Sequence, residues 1–401
     1  MKILIVSTNV VEWGGSEVLW SNVAEALLAK GHEVMVSVFR HKPLANRILN
    51  LAQKGAVLHK RPFPSYTHFQ PFYSRAWAEL KLRSGVEKTA FDWQKVVSFK
   101  PERVLISSGE TFDFVISYES FLIQYCLKNK IPYTLLSQFN WEHSMDVTLD
   151  FRESRSRLVN HANAHLFVSY RNLRIAEVQL GEKIERAFVV NNPAKISGYL
   201  PYPKSNTLKM AMVARLQSFI KGQANVISAL STQKWQDIDF ELHLYGSGKD
   251  LEYLQNLIAF YKLNKKIVVH GQKVDIEEIW LHNQVLLLPS MAEGTSLALL
   301  EAMKAGRTAV VTNVGDSALW VQENGFVAES NTLESLDKVL WRAFEEKHTL
   351  EERGKKCHET IKTAHNAQQE TDIADYLVEN NTAYLFDPNT YLKNLDGSIS
   401  D

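Results

Sequence analysis

Unbroken apolar runs alternate with amphipathic stretches along this chain. Ile3–Ser7 is a continuous apolar run, as expected of a strand buried on both faces of a parallel sheet. Gly14-Gly15 makes a glycine turn, and Gly15 or Ser16 is placed to cap a helix whose apolar side is Val18, Leu19, Ala26 and Leu27. Gly31 ends that helix and Glu33–Phe39 reads as the second strand, completing a βαβ unit with a right-handed crossover. Further on, Val104–Ser107 reads as a strand, Phe112–Lys128 as a helix, and Tyr133–Ser137, Ala164–Ser169 and Ala187–Val190 as strands.

Asn191-Asn192-Pro193 and Leu200-Pro201-Tyr202-Pro203 then break the pattern. A second series follows, with strands at Lys209–Ala214, Phe240–Tyr245, Ile267–His270, Val285–Leu288 and Thr308–Thr312. Helices at Lys221–Leu230, Asp250–Tyr261 and Thr295–Ala305 alternate with them. Two βα series joined by a Pro/Asn linker predict an α/β protein of two doubly wound domains, 1–195 and 196–365. A helical tail, 366–401, is placed to return to the first domain.

Composition narrows the function classes. Lysine plus arginine equals aspartate plus glutamate at 45 each in 401 residues. With no net charge there is no global attraction to nucleic acid, so an anionic partner must meet a local patch. Two distant cysteines, Cys126 and Cys357, make neither a disulfide framework nor a zinc site and read as buried thiols. The first apolar run is too short for a signal peptide and no stretch suits a membrane span, so the expectation is a cytoplasmic protein.

Ser290–Gly306 carries the densest chemistry. A strand ends at Pro289, a loop holds Glu293 and Gly294, and Thr295-Ser296 open a helix. Unsatisfied amides at a helix start bind anions, and Gly294 allows a phosphate to approach closely. Continued as one helix, Glu293 and Glu301 would stand about 12 Å apart along the axis and about 80° apart around it, lining one groove. Carboxylates at both ends suit the hydroxyls of a sugar and a ribose. By themselves the two glutamates also fit a solvated helix face and a dipole partner. Arg215 after one strand and Lys221 at the next helix supply a planar fork and a point charge to flank a diphosphate. Gly246, in Tyr245-Gly246-Ser247-Gly248, allows close backbone approach or is an ordinary turn. Gln272, in His270-Gly271-Gln272, bounds a base pocket or is a plain connection.

Together these residues resemble glycosyltransferase family 4, retaining enzymes of GT-B fold in which two Rossmann-like domains face a central cleft. The similarity is strongest over Met212–Val327 and in the first βαβ unit. The family's Glu–seven residues–Glu motif falls on Glu293 and Glu301, its basic pair on Arg215 and Lys221-Gly222, and its glycine loop on Gly14-Gly15. The resemblance implies that Arg215 and Lys221 hold the donor diphosphate and steady the departing nucleotide. It implies that Glu293 contacts the hexose, that the amides of Gly294, Thr295, Ser296 and Leu297 bind phosphate, and that Glu301 binds the ribose. Gly14 and Gly15 would approach the donor from the other domain. His143, after a strand with Trp141 nearby, is the candidate for the family's N-domain histidine, with a structural role as its alternative. Val314-Gly315-Asp316-Ser317 departs from the two glycines the family often has there.

The implied function is retaining transfer of a hexose from a UDP- or GDP-sugar to a glycan or lipid-linked acceptor, in cell-surface polysaccharide or glycolipid synthesis. No cofactor is expected. A nucleotide-sugar epimerase of similar fold and a non-catalytic nucleotide-sugar-binding subunit are the alternatives. Asp237-Ile238-Asp239 has the spacing of a metal motif but precedes its strand, the wrong end for a ligand, so no metal site is expected. Residues 54–83, basic and rich in aromatics, suit a peripheral contact with the inner face of a membrane, an acceptor wall, or a loop packed on its own domain.

Overall fold

A computed structural model describes residues 1–10, 13–62, 93–110, 120–142, 156–273 and 275–396. The chain forms two compact units, residues 1–191 with 368–389 and residues 192–367 with 390–401.

Among the described residues the first unit holds seven parallel strands: β1 (Lys2–Ser7), β2 (Glu33–Phe39), β3 (Val57–Arg61), β4 (Arg103–Glu110), β5 (Tyr133–Phe139), β6 (Ala164–Phe167) and β7 (Ala187–Val189). Their order is β3-β2-β1-β4-β5-β6-β7. Ile3, Leu4, Ile5 and Val6 are all wholly buried, so both faces of β1 are covered. The helix Ser16–Ala29 lies on one face with Leu19, Trp20, Val23 and Leu27 in the core. The tail helix Gln369–Glu379 joins that core through Ile373, Ala374 and Leu377, and Asn22 Nδ2 donates to Glu370 Oε1 at 2.8 Å.

Among the described residues the second unit holds six parallel strands: β8 (Leu208–Val213), β9 (Phe240–Tyr245), β10 (Ile267–Gly271), β11 (Val285–Leu288), β12 (Thr308–Thr312) and β13 (Phe326–Ala328). The order β10-β9-β8-β11-β12-β13 reverses direction between β8 and β11. An open α/β sheet binds its ligands at such a reversal, beyond the carboxyl ends of the strands.

Several elements differ from the sequence expectation. Strand β3 falls in the basic stretch 54–83, and there Arg61 is wholly buried rather than surface-facing. Its guanidinium lies 4.5 Å from the Phe39 ring and 5.1 Å from the Trp93 ring, and it donates to the Ser7 carbonyl. Stacking and a carbonyl acceptor make a buried Arg tolerable, which hydropathy alone cannot reveal. Lys54 pairs with Glu25 at 2.9 Å. The rest of that stretch from residue 63 onward lies outside the described residues. A helix spans Ser120–Asn129, and residues 112–119 of the helix expected at Phe112–Lys128 lie outside the described residues. Among the described residues no helix is long and apolar enough to cross a membrane. Cys126 and Cys357 are buried thiols, both pushed up to about 12 by burial.

Candidate functional site

The site grows from the loops after β8 and β11. Past β8 the chain runs through Arg215 into a single helical turn, Ser218–Lys221, held by Ser218 N donating to Asp250 Oδ2 at 2.7 Å. The expected helix Lys221–Leu230 therefore starts two residues later, at Gln223. Gly222 separates the two pieces at φ +71°, and a Cβ there would come within 2.4 Å of the Pro289 carbonyl oxygen. Only glycine lets the two loops touch backbone to backbone. Met291 N donates to Ile220 O at 2.8 Å, closing the contact.

This contact delivers Lys221 to Glu293. The ammonium lies 2.5 Å from Glu293 Oε1, and Ser290 Oγ donates to the same oxygen at 2.7 Å. The Lys221 side chain is 23% exposed and that of Glu293 11%, so solvent screens the pair less than it would on an open surface. Arg215 stands at the head of the same loop, its carbonyl held by Gln223 Nε2 at 2.8 Å.

Beyond Glu293 the chain does not enter a helix at once. Ser296 is extended, at φ −69° and ψ 128°, and the helix spans Leu297–Lys304 rather than Thr295–Ala305. The two glutamates therefore do not share a helix, and the two-turn spacing expected for them fails. Glu293 belongs to the loop and Glu301 lies just over one turn into the helix. Ser296 makes no side-chain capping bond, so its hydroxyl does not satisfy the first amides of the helix. Asn192 Nδ2 donates to Thr295 O at 2.8 Å, and Asp316 N donates to Gly294 O at 3.3 Å. A Cβ on Gly315, at φ +51°, would meet Gly294 O at 2.0 Å, so this single glycine already brings the loop after β12 against the turn.

Glu301 is 6% exposed. Burial raises its carboxyl to about 7, against the smaller opposing pull of the Lys195 backbone N–H and charge. Gly246 stands after β9 at φ +147°, where a Cβ would overlap Ala214 O at 1.9 Å. Gln272 is exposed after β10, and the neighbouring His270 ring stacks on Tyr245 at 4.6 Å.

The second unit thus gathers Lys221, Glu293, Gly294, Thr295, Ser296 and Leu297 around one turn, with Arg215, Gly246 and Glu301 on the flanking elements. Gly14 and Gly15 belong to the first unit, where they precede the helix Ser16–Ala29, and Gly15 is its N-cap. Neither Gly15 nor Ser16 supplies a side-chain cap there. His143 lies outside the described residues. Sequence reasoning missed Ser290, Asn192 and Lys195 as parts of the site. Ser290, three residues before Glu293, was the most findable. Asn192 and Lys195 act from the linker, and no local spacing points to them.

Residues 202–366 match the family model for Glycosyl transferases group 1. The chain is 25% identical over 351 residues to an "Uncharacterized glycosyltransferase" of Haemophilus influenzae, covering 84% of this chain and 89% of that one. Over 133 residues, 32% of this chain and 34% of the relative, it is 33% identical to an Escherichia coli UDP-Gal:alpha-D-GlcNAc-diphosphoundecaprenol alpha-1,3-galactosyltransferase. Among solved structures, Anabaena HepE in complex with UDP superposes with a TM-score of 0.67 at 16% identity, covering 100% of this chain and 99% of that one. Residues 202–366 are similar to group 1 glycosyl transferases, and the chain is a glycosyltransferase of GT-B fold.

Proposed function

We propose that the chain is a retaining family 4 enzyme that moves a hexose from a UDP-sugar to a glycan or lipid-linked acceptor in cell-surface polysaccharide or glycolipid synthesis. The observation that carries this reading is the Lys221–Glu293 contact beside an amide turn at the β8/β11 reversal. An ammonium has three donors, so Lys221 can keep Glu293 while it holds a phosphate oxygen. Arg215 and the amides of Gly294–Leu297 complete the diphosphate cradle, Glu293 accepts from hexose hydroxyls, and Glu301 accepts from the ribose. Gly246 allows the donor close to the backbone, and Gln272 borders the base. Support for uridine comes from relatives. The Escherichia coli protein is named for UDP-Gal and an undecaprenol-linked acceptor, and HepE has been solved with UDP-glucose. A GDP-sugar is the second candidate donor.

In the reaction the bond from the anomeric carbon to the phosphate oxygen breaks, and Arg215 and Lys221 stabilise the charge developing on the leaving diphosphate. The acceptor oxygen bonds to the same face, and its proton passes to a phosphate oxygen. Two fixed cations meet the diphosphate charge, so transfer should persist in EDTA. His143 is a candidate on the acceptor side, and residues 54–83 a candidate membrane contact on the cytoplasmic face.

A donor screen followed by product analysis tests this proposal. A UDP-hexose should raise the melting temperature, and the product should keep the donor's anomeric configuration. An inverted product sinks retention. An altered sugar still attached to its nucleotide, with no transfer, identifies an epimerase instead.

A further inference from the structure

The end of the chain reaches the back of the donor turn. The helix Pro388–Asp396 inserts Tyr391, 1% exposed, into the second unit. Its phenol oxygen accepts from Trp320 Nε1 at 3.2 Å and donates to Asp316 Oδ2 at 2.9 Å. The Thr295 side chain also hydrogen-bonds to this phenol. Burial, and then the Asp316 charge, hold the phenol well above its usual range, so it remains a donor. Asp316 is itself wholly buried, and its backbone N–H reaches Gly294 O. Tyr391 therefore grips the turn at two neighbouring residues: Thr295 directly, and Gly294 through Asp316. The helix is anchored further along, where Gln322 Nε2 donates to Leu395 O at 2.6 Å.

We infer that Tyr391 is a positioning residue of the donor site, fixing the Gly294–Thr295 turn so that its amides are aimed before the nucleotide sugar arrives. The inference rests on the donor reading above. Preorganised amides bind a diphosphate without first being ordered, and releasing the phenol would return that ordering cost to the binding step. It would also take one donor from the buried Asp316 carboxylate, whose backbone N–H holds the Gly294 carbonyl. The C-terminal helix thus belongs to the donor site although it lies nearly a hundred residues beyond the turn.

Calorimetry with UDP, together with donor KM and kcat, tests this role. Tyr391→Phe should weaken UDP about tenfold and raise donor KM alike, with kcat within about twofold, as for one lost buried hydrogen bond. Leu395→Ala, in the same helix and 3% exposed, should lower the melting temperature at least as far yet keep the wild-type UDP Kd. Asp316→Asn keeps shape and an accepting oxygen and should bind UDP nearly as wild type, whereas Asp316→Ala should weaken it as Tyr391→Phe does. Wild-type UDP affinity in Tyr391→Phe or Asp316→Ala overturns the inference, as does a loss in Leu395→Ala that matches Tyr391→Phe. Wild-type affinity in Lys221→Ala would overturn the donor reading and this inference with it. Weakening in Lys221→Ala alone would overturn only the role of Tyr391.

Discussion

The two sheets share one plan: in each the first strand pairs with the second and the fourth, so β1/β4 and β8/β11 are equivalent reversals. The chemistry at the two strand ends differs. After β1, Glu17 is 3% exposed and accepts from Asn9 Nδ2 at 2.8 Å and Ser16 Oγ at 2.7 Å, while Arg61 closes on Ser7 O. After β8 and β11 the charged partners are Lys221 and Glu293, both partly open to solvent, beside the start of a helix. The same topology thus builds a cross-braced strand end in one unit and, on the proposed reading, an anion cradle in the other. The difference lies in whether a loop's charges are satisfied inside its own unit or held at the edge of an amide turn.

The sharpest test exchanges the two carboxylate settings. Lys221→Ala and Glu293→Ala should each lower kcat/KM for transfer by roughly 10²–10³-fold, the scale of a lost charge-stabilising contact, with little change in melting temperature. Glu17→Ala should do the reverse, costing roughly 1.5–3 kcal/mol of stability by removing a charged, buried acceptor. Transfer assays and thermal melts on the three variants decide between them. Should Glu17→Ala abolish transfer while melting like wild type, the β1 end is chemical too and the contrast fails.

The next test concerns how tightly the loops of the second unit are pressed together. Gly246→Ala forces a positive φ and a clash with Ala214 O, so a cost of roughly 1–3 kcal/mol is expected from the backbone alone, with weaker UDP binding. Wild-type UDP affinity in a destabilised Gly246→Ala would mean that the loop after β9 serves folding and not the donor.

A smaller effect is expected from Glu301 and has a definite sign. Its carboxyl sits at about 7 in the folded protein against an ordinary 4.5. Between those values the folded state holds more protons than the unfolded one, so stability falls as pH rises through that window. Ribose hydroxyls donate best to the ionised form, so UDP affinity should rise as pH climbs through 7. Titration of the nucleotide's own phosphate is common to wild type and Glu301→Gln, so the difference between their pH profiles isolates Glu301. Parallel profiles would remove Glu301 from the ribose.

What the sequence disclosed follows the same division. The strands of the second unit were legible because β8, β9, β11 and β12 are largely apolar runs, the last three closed by short glycine or proline loops. In the first unit β3 was hidden, since His59, Lys60 and Arg61 read as a basic loop until Phe39 and Trp93 are brought against Arg61. The turn proposed to hold the donor was legible through Glu293, Gly294 and the Arg215–Lys221 pair, all local signals. Its supports at Asn192, Asp316 and Tyr391 were not, because tertiary contacts, not spacing, bring the linker and tail to it. The helix drawn through Thr295 failed for a related reason. Asn192 and Asp316 hold the carbonyls of Thr295 and Gly294 from outside, so these oxygens are not left to accept within a helix.

Gly31 and Gly306 give the finest comparison, because both follow a helix and both sit at φ +79°. Around Gly31 nothing lies within 4 Å of a built Cβ, so Gly31→Ala carries only the left-handed backbone penalty, about 1 kcal/mol. At Gly306 the same Cβ would lie 2.3 Å from Cε2 of Tyr199. Tyr199 is in the linker that also carries Asn192 and Lys195, and its ring stands edge-on to His358 at 5.2 Å. Gly306→Ala must therefore move that ring as well, and should cost more than Gly31→Ala by the packing it disturbs. Each variant is read at the unfolding transition of its own unit, since a two-unit chain need not melt in one step. Equal losses would mean that Tyr199 swings away at no cost, and that the linker does not hold the donor helix by that contact. A larger loss at Gly306 accompanied by weaker UDP binding would tie the linker's packing to the site through Glu301.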